Sequence, residues 1–122
     1  MLRMLLAVLL LGVASVSFGQ FMSGHELLDY ARDCDKYREG EGSPEYYRSC
    51  GAGKLYTAGI YDLYVVLKDR WLLQETFCKP DDVDRSELVV TAKTYMENHP
   101  EKLDAAAAGV ILDAFIEAYP CE

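Results

Sequence analysis

Four cysteines and two histidines are the side chains of this 122-residue chain best suited to nucleophilic, redox or metal chemistry. A nucleophilic cysteine, serine or threonine needs a positioned base beside it. His25 falls at a helix start, where an exposed residue is the ordinary reading, and neither His25 nor His99 has a carboxylate companion visible in the sequence. No G-x-S-x-G, H-E-x-x-H or phosphate-cradling glycine loop occurs. Zinc would need clustered ligands, but the gaps 34–50, 50–78 and 78–121 contain no C-x-x-C knuckle. The expectation is a protein without catalysis, metal or cofactor, whose cysteines are structural.

The first nineteen residues support that expectation. Arg3 makes a short positive region, Met4 to Val13 is an uncharged apolar run, and Ser17-Phe18-Gly19 has small residues where a signal peptidase cuts. This predicts a secretory signal peptide over 1–19, cleaved before Gln20, and hence a mature domain over 20–122 in the periplasm. The apolar run is short for a membrane span, and no other stretch approaches about 18 apolar residues. An even cysteine count in an exported chain reads as disulfides. The net charge is −8, and it becomes −9 without Arg3, the only charge of the leader. Such acidity argues against nucleic acid or an anionic membrane as partner, and permits a basic protein such as a peptidoglycan-acting enzyme.

The cysteines must be positioned by helices. Asp84-Arg85-Ser86-Glu87 is a capping box, so a helix begins at about Arg85, with Leu88, Ala92, Tyr95 and Met96 on one side and Pro100 ending it. A further helix is predicted from about Leu103 to Tyr119, apolar almost all round, where Ala106 and Gly109 would admit a second protomer closely. In that hairpin Cys78 and Cys121 come together. Ser23-Gly24-His25-Glu26 starts an earlier helix ending near Cys34, and a long one is predicted from Gly51 to Leu73. Its core stripe is Tyr56, Ile60, Leu63, Leu67 and Trp71, flanked by Leu55, Gly59 and Val66. Mid-helix Gly59 costs about 1 kcal/mol against alanine, which suggests close passage of another backbone. Asp62 falls toward the core edge, where a carboxylate needs a partner; a structural role is expected there, since no nucleophile or second acid accompanies it. By the same hairpin geometry Cys34 pairs with Cys50, closing a loop that contributes about 3 kcal/mol in the chain-entropy model. The other two pairings stay open. The fold class expected is all-α: a small four-helix bundle of two disulfide-stapled hairpins.

The polar stretch from Asp35 to Ser49 is predicted to be a loop that displays aromatics. Tyr46 and Tyr47, supported by Glu41 and Glu45, are candidate partner anchors. Tyr61 and Tyr64, on the Lys54/Lys68 side of the long helix, are candidates for contact with another chain.

The ordered landmarks F-M-S-G-H-E-L-L, Y-T-A-G-I-Y-D, F-C-K-P, Y-M-E-N-H-P-E and A-Y-P-C resemble the Rap/Tai family of type VI secretion immunity proteins over Phe21 to Cys121. The resemblance implies a small, all-helical, disulfide-bonded periplasmic protein, often dimeric, that blocks a peptidoglycan amidase delivered by a competing cell. By position Cys34, Cys50, Cys78 and Cys121 match the family's cysteines, and Gly59 and Asp62 its small and acidic positions. Two departures stand out: a longer stretch from Asp35 to Ser49, and Cys50 one turn further from Tyr56. The alternative function is a general periplasmic binding protein, either a stress chaperone or a carrier of an apolar ligand.

Overall fold

The computed structural model describes residues 21–40 and 42–122; the signal peptide expected over 1–19 and the candidate contact Glu41 lie outside it. Among the described residues it contains four α-helices: α1 Gly24–Arg38, α2 Pro44–Asp69, α3 Arg85–Asn98 and α4 Ala107–Ala118. A 3-10 turn, Pro100–Lys102, connects the last two. The molecule is all-α, with two disulfides, Cys34–Cys50 and Cys78–Cys121, each stapling one helical hairpin.

Both capping boxes form. Ser23 Oγ accepts from the Glu26 amide at 3.3 Å, and Glu26 accepts from the Ser23 amide at 2.8 Å. Asp84 accepts from the Ser86 and Glu87 amides at 2.7 and 3.0 Å, while Glu87 accepts from the Asp84 amide at 3.1 Å. Those two amides, Glu87 first, hold the Asp84 carboxyl below the usual carboxylate range.

The expected loop from Asp35 to Ser49 is mostly helix. α1 continues to Arg38 and α2 starts at Pro44, so the connection shrinks to Glu39–Ser43, with Gly40 at φ +88°. The reason is local: Ser43 caps α2 by accepting from the Glu45 amide, Pro44 sits at its first position, and Glu45 meets its positive end. Both cysteines therefore lie within helices, facing each other one turn from the hairpin tip, with Cα atoms 4.6 Å apart. Ser49 Oγ donates to Asp33 at 2.6 Å, each one residue before its cysteine, and fixes the same register.

α4 begins four residues later than its composition suggests. The chain entering α1 pairs with the segment before α4: Gly24 N donates to Ala105 O, His25 N to Leu103 O and Ala107 N to Met22 O, at 2.9–3.1 Å. These bonds hold residues 103–106 in a turn outside the helix, and Ala106, expected to face a second protomer, is occupied by its bridge to Ser23. A Cβ on Gly24 would lie 2.9 Å from the Leu103 backbone. Close backbone approach thus occurs here, and again where Gly53 faces Tyr30 at 3.1 Å, and not at Gly59, which is exposed with open space around it.

The core is built from Leu27, Leu28 and Ala31 of α1, Leu88, Val89, Ala92 and Met96 of α3, and Val110, Ile111, Ala114 and Phe115 of α4. α2 contributes Cys50, Gly53, Thr57, Ala58 and Tyr64. Its expected stripe is rotated: Leu63 and Trp71 are exposed, as are the flanking Leu55 and Val66. Ion pairs of Lys93 with Asp35 and of Arg32 with Glu97 hold α1 against α3.

Candidate partner-binding surfaces

The reactive side chains are engaged in structure. All four sulfurs are in disulfides, so Glu75, Cys78 and Cys121, whose ligand atoms lie within 4.8 Å of one another, offer no thiolate to a metal. The histidines, contrary to expectation, both have carboxylate companions. His25 Nε2 is 3.0 Å from Asp104; His99 Nδ1 is 3.2 Å from Glu101 and its Nε2 3.3 Å from Glu117. Asp104 and Glu117 are distant in sequence from their histidines, which is why local reading missed them, whereas Glu101 stands only two residues from His99. The His99 ring also packs on Tyr95 at 4.2 Å.

Of the candidate anchors, Tyr46 and Tyr47 sit on the first turn of α2 and not on a loop. Tyr46 lies under Lys36 Nζ at 4.9 Å, and Tyr47 meets the Tyr37 ring of α1 at 5.5 Å. Tyr47, Tyr37 and Leu55 face solvent around a groove of ≈ 650 Å³ that also borders Arg48, Lys54 and Arg85. Glu45 is exposed beside them.

Tyr61 and Tyr64 belong to an aromatic cluster and not to the outer surface. Tyr64 is 5% exposed and stacks on Phe77 with centroids 4.0 Å apart. Phe77 in turn meets Phe115 at 5.5 Å. The Tyr64 hydroxyl accepts from the amides of Thr76 and Phe77 at 2.9 and 3.4 Å and donates to the Phe77 carbonyl at 3.2 Å. It is therefore withdrawn from any partner surface. Tyr61 is half-buried under Lys79 Nζ at 5.3 Å, and burial raises its hydroxyl pKa. Asp62 is exposed, away from the core edge where it was expected.

The feature that periodicity misplaced is Trp71. α2 ends at Asp69, and the chain leaves it through a Schellman turn in which Trp71 N donates to Lys68 O and Leu72 N to Leu67 O, at 3.0 and 2.9 Å. Trp71 occupies the left-handed position of that turn, φ 60°, where glycine is usual. For an L residue this costs about 1–2 kcal/mol. The side chain is 94% exposed, followed by exposed Leu72 and Leu73. The base of the loop is closed by Lys68 Nζ on Glu75 at 3.2 Å, a hydrogen bond that raises the Lys68 pKa. Behind it, Tyr64 holds residues 76 and 77. Backbone strain that displays a tryptophan from a pinned loop is the pattern of a contact site. The dense apolar run W-L-L after the last polar turn of α2 was its signal in the sequence.

An exposed apolar ridge of Leu55, Leu63 and Val66 runs along α2 between the tyrosine groove and this loop. Among the described residues no helix is long and apolar enough to cross a membrane. These are surfaces suited to recognition.

No curated protein sequence matches the chain. The family model of Rap1a immunity proteins matches residues 23–121, from the first capping serine to the last disulfide cysteine. The chain belongs to the Rap1a immunity protein family.

Proposed function

We propose that the protein is a periplasmic immunity protein that binds and occludes a type VI secreted peptidoglycan amidase, without catalysis of its own. Family membership supports immunity to a secreted effector. The observation that carries occlusion is Trp71, which is 94% exposed at a strained φ of 60° with Leu72 and Leu73 beside it. A tryptophan held away from its own core gains most when a partner's cleft desolvates it. Around that anchor, the acidic charge favours encounter with a basic enzyme. A signal peptide over 1–19 supplies the address. Tyr46, Tyr47 and Glu45 on the first turn of α2, Glu41 just before it in sequence, and half-buried Tyr61 further along α2 are the secondary contacts of the same reading. A homodimer also belongs to it: Gly109 is exposed on α4, where an added Cβ would meet no other described residue within 4 Å, leaving room for a second copy, and sedimentation equilibrium measures that state.

The test is inhibition of a purified amidase encoded in the neighbouring reading frame by the mature chain. Stoichiometric inhibition is expected, with Trp71→Ala weakening it about 30-fold or more, the size of a hot-spot residue. A protein that neither inhibits the enzyme nor protects cells producing it would rule out the proposal.

A further inference from the structure

Six cations among the described residues are paired with carboxylates: Arg32, Lys36, Arg38, Lys68, Lys93 and Lys102 each make an ion pair. Among the described residues, Arg48, Lys54, Arg70, Lys79 and Arg85 make none, and three of these, Arg48, Lys54 and Arg85, border the ≈ 650 Å³ groove of the hairpin tip. They come from different segments. Arg48 and Lys54 lie on α2, and Arg85 is the first residue of α3. Arg48 uses its Nε on the Pro44 carbonyl at 3.3 Å, which leaves its terminal guanidinium nitrogens as donors. Lys54 and Arg85 both act on the Asp84 carboxylate, which is engaged by the amides of Ser86 and Glu87, and Arg48 also borders a neighbouring cleft with Asp33 and Glu45. Glu87, which borders the adjoining cleft, is likewise held by the Asp84 amide. The opposite wall is apolar: Tyr37 and Tyr47 in contact at 5.5 Å, and exposed Leu55.

We infer that this groove is a binding site for a short acidic peptide segment of a protein partner. Carboxylates would bond to Arg48, Lys54 and Arg85, with an apolar side chain between the tyrosines and Leu55. The chemistry requires both halves. Free cations alone would suit any anion, whereas cations facing an aromatic wall suit carboxylates interleaved with apolar groups. The net charge of −8 does not oppose this. At physiological salt the screening length is about 8 Å, so a peptide in the groove responds to the cations lining it and not to carboxylates on the far side of the bundle. The site is distinct from the Trp71 loop. About twenty residues of α2 separate the two, roughly 30 Å of helix. It shares Tyr47 with the secondary contacts of the amidase reading but does not rest on that reading, since its cations and its test involve no amidase.

The test uses the disulfide-intact mature chain alone. A dye-labelled, end-blocked peptide Glu-Leu-Glu-Glu-Leu-Glu is titrated by fluorescence anisotropy at about 0.15 M salt. The same peptide with glutamine at every glutamate, and one with lysine, serve as comparisons. The acidic peptide should bind at least tenfold tighter than the glutamine form, with the lysine form weakest. The triple variant R48Q/K54Q/R85Q, its fold verified by circular dichroism, should erase that preference, and Tyr47→Ser should weaken the acidic peptide several-fold. Equal binding of acidic and neutral peptides, or a preference that survives the triple variant, overturns the inference. So does saturable binding of the acidic peptide mapped by amide shifts to another face.

Discussion

Tyr64→Phe removes a single oxygen and keeps the ring that stacks on Phe77 at 4.0 Å. What it removes is the anchor of the segment leaving the Trp71 loop. The hydroxyl serves the amides of Thr76 and Phe77 and the carbonyl of Phe77 at 2.9, 3.4 and 3.2 Å. Thr76 is exposed, so its amide regains a bond from water. Phe77 is 2% exposed, and its amide and carbonyl would be left without a partner. An unsatisfied buried polar group costs about 1–3 kcal/mol, and the longer of these bonds are weak ones, so a total of about 2 kcal/mol is expected. For a domain of this size that lowers Tm by roughly 8–16 °C. Urea unfolding should show a lower midpoint at unchanged m-value, and hydrogen exchange should show faster exchange at residues 76 and 77 than elsewhere. Tyr61→Phe is the control. The Tyr61 hydroxyl makes no hydrogen bond among the described residues, so its loss should cost about 0.5 kcal/mol or less. If the two variants unfold alike, or if exchange at 76 and 77 is unchanged in Tyr64→Phe, the hydroxyl is not the anchor.

Other perturbations follow from the packing. Gly24→Ala should destabilise by about 1–3 kcal/mol, because its Cβ meets Leu103 backbone atoms at 2.9 Å, while Gly59→Ala, with open space around it, should stabilise by about 0.5–1 kcal/mol in the same denaturation assay. Thr57→Val should stabilise by about 1 kcal/mol, since Thr57 Oγ1 is buried without a partner among the described residues and valine has its shape; a loss measured by calorimetry would refute this. Replacing Cys78 and Cys121 by serine opens a separation of 43 residues against 16 for Cys34 and Cys50, so the chain-entropy model expects costs of about 4 and about 3 kcal/mol respectively, read as urea midpoints.

Local chemistry carried much of the fold into view. The capping boxes at Ser23 and Asp84, the stop at Pro100 and the two cysteine pairings are written in short-range pattern, because caps and hairpin ends depend on neighbours in sequence. The start of α2 at Ser43-Pro44-Glu45 was equally legible, yet the charges and glycines around it read as a loop. The likeness to the Rap/Tai family was carried by the order of short motifs from Phe21 to Cys121, and the Rap1a family model matches residues 23–121.

The site was less accessible, and α2 shows why. Its apolar and aromatic residues nearly encircle the helix: Leu55, Ile60 and Leu63 on one side, Ala58, Tyr61 and Tyr64 on the other. Burial of such surface is non-directional, so either side could have faced inward. Composition along the chain determined that there would be four helices, two staples and an acidic, exported-looking domain. Tertiary structure alone decided which face of α2 was buried, because Phe77 and Gly53 meet partners distant in sequence, Tyr64 and Tyr30. That choice withdrew Tyr64 into the core and left Trp71 in solvent, a consequence of where neighbouring elements land and not of any residue's own preference.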